Sequence, residues 1–214
     1  MQYFKYGKKE IDYLKQRDYK LGKEIDRIGF VKREVNPDIF DSLISSIISQ
    51  QVSTKAALTV NNRLQDLVGK ITPENITNAD KEEIQQCGMT IRKAEYIKNI
   101  ANAAVTNSID LENLYKLSDE EIIKELVKLK GIGEWTVEML LIHSFERSDI
   151  LSYKDLGIHR ELKRLHSLED ISKKEFEVYK KNYSPYNTVA SIYLWKISER
   201  DVNDEGIRQE NSWN

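Results

Sequence analysis

Two glycines set around an isoleucine, Gly131-Ile132-Gly133, and an aspartate about one helix further on, Asp155, are the residues whose types and spacing could do chemistry. Glycine reaches backbone angles closed to other residues and leaves its amide uncovered. A helix that opens directly after such a turn presents bare N–H groups and the positive end of its dipole, which hold an anion such as phosphate without any side-chain charge. Asp155 follows a short loop, Leu151-Ser152-Tyr153-Lys154, and stands where a helix bearing Leu156, Leu162 and Leu165 begins. The dipole favours the ionised carboxylate there. The residues alone leave two uses open for each feature. The glycines are either a helix C-cap or an anion grip, and Asp155 is either a cap or a fixed charge for chemistry.

Helices have to position these groups. Ile122, Ile123, Leu126, Val127 and Leu129 form a helical stripe upstream of the glycines, opened by Ser118 and Glu121 as a capping box. Trp135, Met139, Leu140 and Ile142 mark a second helix downstream. Elsewhere the periodicity predicts a helix over 9–29, with Ile11, Leu14, Leu21, Ile25 and Ile28 inward. Pro37 opens another, with Phe40, Leu43, Ile44, Ile47, Ile48 and Gln51 on one face. Ser53 caps the next, which Gly69 ends. Thr72-Pro73 starts a short helix, Gly88 ends another, and Ile91, Ala94, Ile97, Ala101 and Ala104 mark a long one toward residue 106. Ser172 with Glu175 is a further capping box, and Ser184-Pro185 reads as the start of the last helix, which carries Ala190, Ile192, Tyr193, Leu194 and Trp195. Residues 201–214 read as a polar, loosely held tail.

Composition agrees with an all-α protein of 214 residues: 9 Gly, 3 Pro, and Leu, Ile, Lys and Glu dominant. The net charge of −2, from 33 basic and 35 acidic residues, does not by itself suggest a nucleic-acid binder. Amides that grip phosphate need no cations, so it does not exclude one either. Cys87 is the only cysteine, which rules out a disulfide, a cysteine-bound zinc site and an iron–sulfur cluster. His143, His159 and His166 have no metal-spaced partners and read as surface or core residues. Arg92, Lys93 and Lys98 read as a solvated charged face, with phosphate contact as the alternative. No apolar run would span a bilayer and the first residues lack a signal-peptide core, so an intracellular protein with no membrane partner is expected.

In this setting Gly131-Ile132-Gly133 resembles the helix-hairpin-helix of DNA-binding proteins. With Asp155 it resembles the hairpin-Gly/Pro-Asp (HhH-GPD) superfamily of DNA glycosylases. Four ordered segments are similar to the 3-methyladenine DNA glycosylase II family within it: Phe40 to Ser53, Arg92 to Ile97, the hairpin through Trp135-Thr136, and Asp155-Leu156-Gly157-Ile158. A fifth, Ser184 to Trp195, is similar to the family's closing helix. The resemblance covers about residues 37–196. It implies a two-lobed helical bundle within residues 1–200, one lobe about 37–150 and the other the N- and C-terminal helices, with an active-site groove between the lobes. It also implies a cytoplasmic, nucleoid-associated monomer acting on double-stranded DNA that contains damaged bases.

Roles follow from the same resemblance. Asp155 would be the catalytic carboxylate, stabilising positive charge on the deoxyribose as an N-glycosidic bond breaks and orienting or deprotonating water. Bifunctional relatives carry a lysine nucleophile at the position of Trp135; tryptophan cannot form a Schiff base, so hydrolysis without strand nicking is expected. Trp135 and Trp195 would wall a pocket for a flipped, cationic alkylpurine such as 3-methyladenine or 7-methylguanine, and a core role is open for both. Met139 and Leu156 stand at pocket positions that are aromatic in some relatives. Gly131, Ile132, Gly133 and Thr136 would contact DNA, and Gln51 would fill the gap left by the flipped nucleotide or serve as a polar turn residue. The carbonyls of Val127, Leu129 and Ile132 would hold a structural Na+ or K+. A non-catalytic DNA-binding module and a glycosylase for another lesion are the alternatives.

Overall fold

The computed structural model describes the backbone of residues 1–211 and the side chains of residues 1–199. Its elements are, in order, β1 (Gln2–Tyr3), α1 (Lys8–Arg17), α2 (Tyr19–Ile28), β2 (Glu34–Val35), α3 (Ile39–Ser49), α4 (Thr54–Val68), α5 (Pro73–Asn78), α6 (Lys81–Gln86), α7 (Ile91–Val105), α8 (Asp119–Leu126), α9 (Glu134–His143), α10 (Leu156–His166), α11 (Lys173–Tyr183) and α12 (Asn187–Asn211). A 3-10 turn, Leu114–Lys116, precedes α8. Among the described residues the protein is all-α apart from one antiparallel ribbon, in which Gln2 faces Val35 and Tyr3 faces Glu34.

Local signals set most helix starts. Ser53, Ser118 and Ser172 each accept an amide of the following turn, and Glu121 and Glu175 complete the capping boxes. Three boundaries differ from the sequence pattern. The helix expected over 9–29 is two helices broken at Asp18, whose φ is −141°. Asp18 Oδ1 accepts the N–H groups of Lys20 and Leu21 at 3.0 and 3.1 Å, while Oδ2 accepts the Tyr183 hydroxyl at 2.5 Å and lies 3.0 Å from His166 Nε2. A buried aspartate is better satisfied there as an N-cap than inside a helix. Burial and the Asp18 carboxylate push the Tyr183 phenol pKa upward. Second, Ser184-Pro185 does not open the last helix but forms a cis-peptide link, and α12 begins at Asn187. Third, α12 runs on to Asn211 through most of the stretch read as a tail; how loosely residues 201–214 are held lies outside the described residues.

The chain forms two compact units. One joins Met1–Val35 to Glu146–Asn214, and the other is Asn36–Phe145. The first has a core that includes Leu14, Leu21, Ile158, Phe176, Tyr183 and Tyr193. The second buries Leu43, Ile44, Ile47, Leu64, Ile97, Val137 and Leu141 without measurable exposure.

Candidate active site

The hairpin lies in the unit Asn36–Phe145, between α8 and α9. Its two glycines are not equivalent. Gly131 has φ +91°, and a Cβ there would lie 2.4 Å from Tyr96 Cδ2 and 2.9 Å from Ile47 Cδ1. Gly133 has φ −99° and open space where a Cβ would be. Between them Ile132 is buried, anchoring the turn, and its N–H donates to the Leu129 carbonyl at 3.1 Å. The first α9 bond runs from Val137 N–H to the Gly133 carbonyl. The amide N–H groups before that point therefore head the helix at its positive end.

The loop after α3 is tied to this turn. Gln50 Nε2 donates to the Gly131 carbonyl at 2.9 Å, and Lys93 Nζ donates to the carbonyls of Ile48 and Gln50 at 2.8 and 2.5 Å. Lys93 is thus a brace on the end of α3 rather than part of a solvated face, and burial lowers its pKa. Lys98 does the same for α5, donating to Thr77 and Ala79 at 2.7 and 2.6 Å. Braced in this way, the next residue, Gln51, is exposed with φ +58°, a conformation uncommon outside glycine. A crevice of about 700 Å³ runs past Gln51, Lys93, Tyr96, Trp135, Thr136 and Met139. Trp135 is 43% exposed, too open for a core residue, whereas Thr136 is buried.

Asp155 lies in the other unit. It is 7% exposed and N-caps α10: Oδ1 accepts the Ile158 amide at 2.9 Å. The same oxygen accepts Trp195 Nε1–H at 3.1 Å. Cap and buried hydrogen-bonded carboxylate are therefore one arrangement, and both donors stabilise negative charge on that oxygen. The Arg33 guanidinium carbon lies 5.1 Å from the centre of the Trp195 ring, over its face. Burial lowers the Arg33 pKa, opposed by the charges of Glu199, Asp155 and Glu34. Leu156, next to the carboxylate, is 85% exposed. At Gly157 a Cβ would meet Asp155 Oδ1 at 3.2 Å and Trp195 Cδ1 at 3.5 Å, so this glycine keeps open the space in which indole and carboxylate meet.

Arg33 and Gly157 escaped the sequence reading. Nothing in the chain near Arg33 announces a partner so distant in sequence. Gly157 did carry a signal, being a poor helix former placed in the first turn of a helix. The histidines have structural surroundings: His166 pairs with Asp18, and His159 packs against Tyr153 and Phe176. Cys87 is buried, and burial raises its thiol pKa. Among the described residues no three His, Cys, Asp or Glu side chains group as metal ligands, and no helix is long and apolar enough to cross a membrane.

Residues 44–185 match the profile of the HhH-GPD superfamily of base excision DNA repair proteins. The chain is 38% identical over 165 residues to DNA-3-methyladenine glycosylase 1 of Schizosaccharomyces pombe, covering 75% of this chain and 72% of that one. The crystal structure of a DNA-3-methyladenine glycosidase from Bacillus halodurans superposes with a TM-score of 0.81 at 35% identity, covering 92% and 93% of the two chains. The S. pombe 3-methyladenine DNA glycosylase in complex with abasic DNA gives a TM-score of 0.78 at 34% identity, covering 90% and 97%.

Proposed function

Because the chain belongs to the HhH-GPD superfamily of base excision DNA repair proteins, we propose that it is a DNA glycosylase that removes alkylated purines by hydrolysis alone. The observation that carries the reading is the buried Asp155 carboxylate, held by the Ile158 amide and the Trp195 indole. In the reaction the bond between C1′ and the purine nitrogen breaks, and its electron pair leaves with the base. A cationic alkylpurine departs neutral. Positive charge grows on the sugar, where a fixed carboxylate stabilises it. The oxygen of water bonds to C1′, its proton passes to Asp155 or to solvent, and an abasic site remains.

Other residues take supporting parts. The amides around Gly131, Ile132, Gly133 and Thr136 hold a DNA phosphate at the head of α9. Gln51, on its braced loop, fills the space of the flipped nucleotide. Trp135 is the aromatic platform for the base, with Met139 behind it in the same crevice. Trp195 is the poorer platform for a cation because a guanidinium already lies over its ring; a second positive charge on that ring gains less. Leu156 offers an exposed apolar contact beside the reacting sugar. The carbonyls of Val127, Leu129 and Ile132 suit a hard monovalent cation, although that of Leu129 already accepts one N–H. Such an ion would add positive charge for the phosphate.

Hydrolysis without nicking rests on the absence of an amine at Trp135. Lys93, the lysine of the crevice, has its Nζ committed to two carbonyls. The test is incubation with methylated DNA, chromatography of released bases, and gel analysis with and without borohydride. Release of 3-methyladenine or 7-methylguanine with intact strands is expected. Absence of released base would overturn the glycosylase reading for these lesions. A borohydride-trapped complex would overturn the hydrolytic one and point to Lys93.

A further inference from the structure

We infer that Arg33 is a positioning residue for the catalytic carboxylate, acting through Trp195; this rests on the glycosylase reading above. The chain of contacts is short and lies within one unit. Arg33 sits 5.1 Å over the Trp195 ring, and the edge of that ring donates to Asp155 Oδ1 at 3.1 Å. Indole N–H is a donor only, so the bond exists only while the ring plane is correct. A cation over an indole face fixes that plane, and it does so more strongly when partly desolvated, as Arg33 is.

The backbone supports this. Arg33 immediately precedes β2, and its carbonyl accepts the Phe4 amide at 2.9 Å as the β1–β2 ribbon ends. An otherwise helical unit thus keeps a two-residue ribbon at the place where one arginine must be held. From the other side, Gly157 leaves room for the ring edge, and Ser198, which Arg160 engages, lines the same space. The charges of Glu199 and Glu34 also bear on Arg33. Asp155 bears on Arg33 as well, so Arg33 acts on the carboxylate both by charge and through the orientation of the ring.

The experiment is a double-mutant cycle on the full chain with methylated DNA, reading the single-turnover excision rate, abasic-DNA affinity and melting temperature. Arg33→Met keeps the length of the stem and removes the charge. It should slow excision on the order of tenfold or more, within what a small misplacement of a reacting group costs, while abasic-DNA affinity changes little. Arg33→Lys should recover most of the rate, since an ammonium also sits over an indole. Trp195→Phe removes the N–H, and adding Arg33→Met to it should cost clearly less than Arg33→Met costs in the parent, because the part of its effect that runs through the ring is already gone. The inference is overturned by an unchanged rate in Arg33→Met, by losses that multiply in the double variant, or by a rate loss that tracks abasic binding and melting. A parent protein that releases no base would fail the glycosylase reading instead.

Discussion

At the scale of single residues, three glycines of the candidate site have three different reasons to be glycine. Gly131 needs both its left-handed backbone and its missing side chain, because Tyr96 occupies the space of a Cβ. Alanine there should cost about 1–3 kcal/mol in urea unfolding from backbone strain alone, and should weaken abasic-DNA binding. Gly133→Ala should stay within about 0.5 kcal/mol of the parent, so any loss of DNA binding in that variant reports on the approach of a phosphate. Equal stability of the two variants would contradict the geometry of the turn. Gly157 sits inside a helix, where alanine is intrinsically better by about 0.5–1 kcal/mol. Gly157→Ala should therefore melt no lower than the parent yet excise more slowly, as the new methyl crowds the Asp155 carboxylate. A variant that both melts and excises like the parent would show that the space is not critical. For Asp155→Asn, which preserves the cap, excision should fall on the order of 10²-fold or more with folding intact. The rates of the two proteins on one methylated duplex decide it.

At the scale of elements, what was legible in the sequence was what is local. Capping boxes at Ser118 and Ser172, the stop at Gly69 and the helix start at Asp155 lie within a few residues of the groups they satisfy. The break at Asp18 was not legible, because Tyr183 and His166, which give the buried cap its other hydrogen-bond partners, are far along the chain. The same holds for Arg33 over Trp195. Lys93 and Lys98 read as a charged face because their stripe is polar. Only the fold brings the ends of α3 and α5 to their ammonium groups. Asp18→Ala is the corresponding test. It removes an N-cap and leaves the Tyr183 hydroxyl without its acceptor, so it should cost on the order of 2–4 kcal/mol. The urea midpoint of unfolding measures this. Loss of less than about 0.5 kcal/mol, the usual size of a surface change, would mean that α1 and α2 need no such break.

At the scale of the whole molecule, the unit Asn36–Phe145 interrupts the other in sequence. Leu14 and Leu21 near one end of the chain share a core with Phe176, Tyr183 and Tyr193 near the other. Such distant pairings are slow to form, because loop-closure entropy is spent before any contact repays it. The inserted unit closes shorter loops, such as the one between Gln50 and Gly131, and all of its helices are consecutive. A chain emerging from the ribosome therefore completes the turn at Gly131 while α1 and α2 still lack α10 to α12. The residues proposed to grip a phosphate thus belong to a unit whose segment is complete before α10 to α12 emerge, and the carboxylate proposed to act on the sugar belongs to the other.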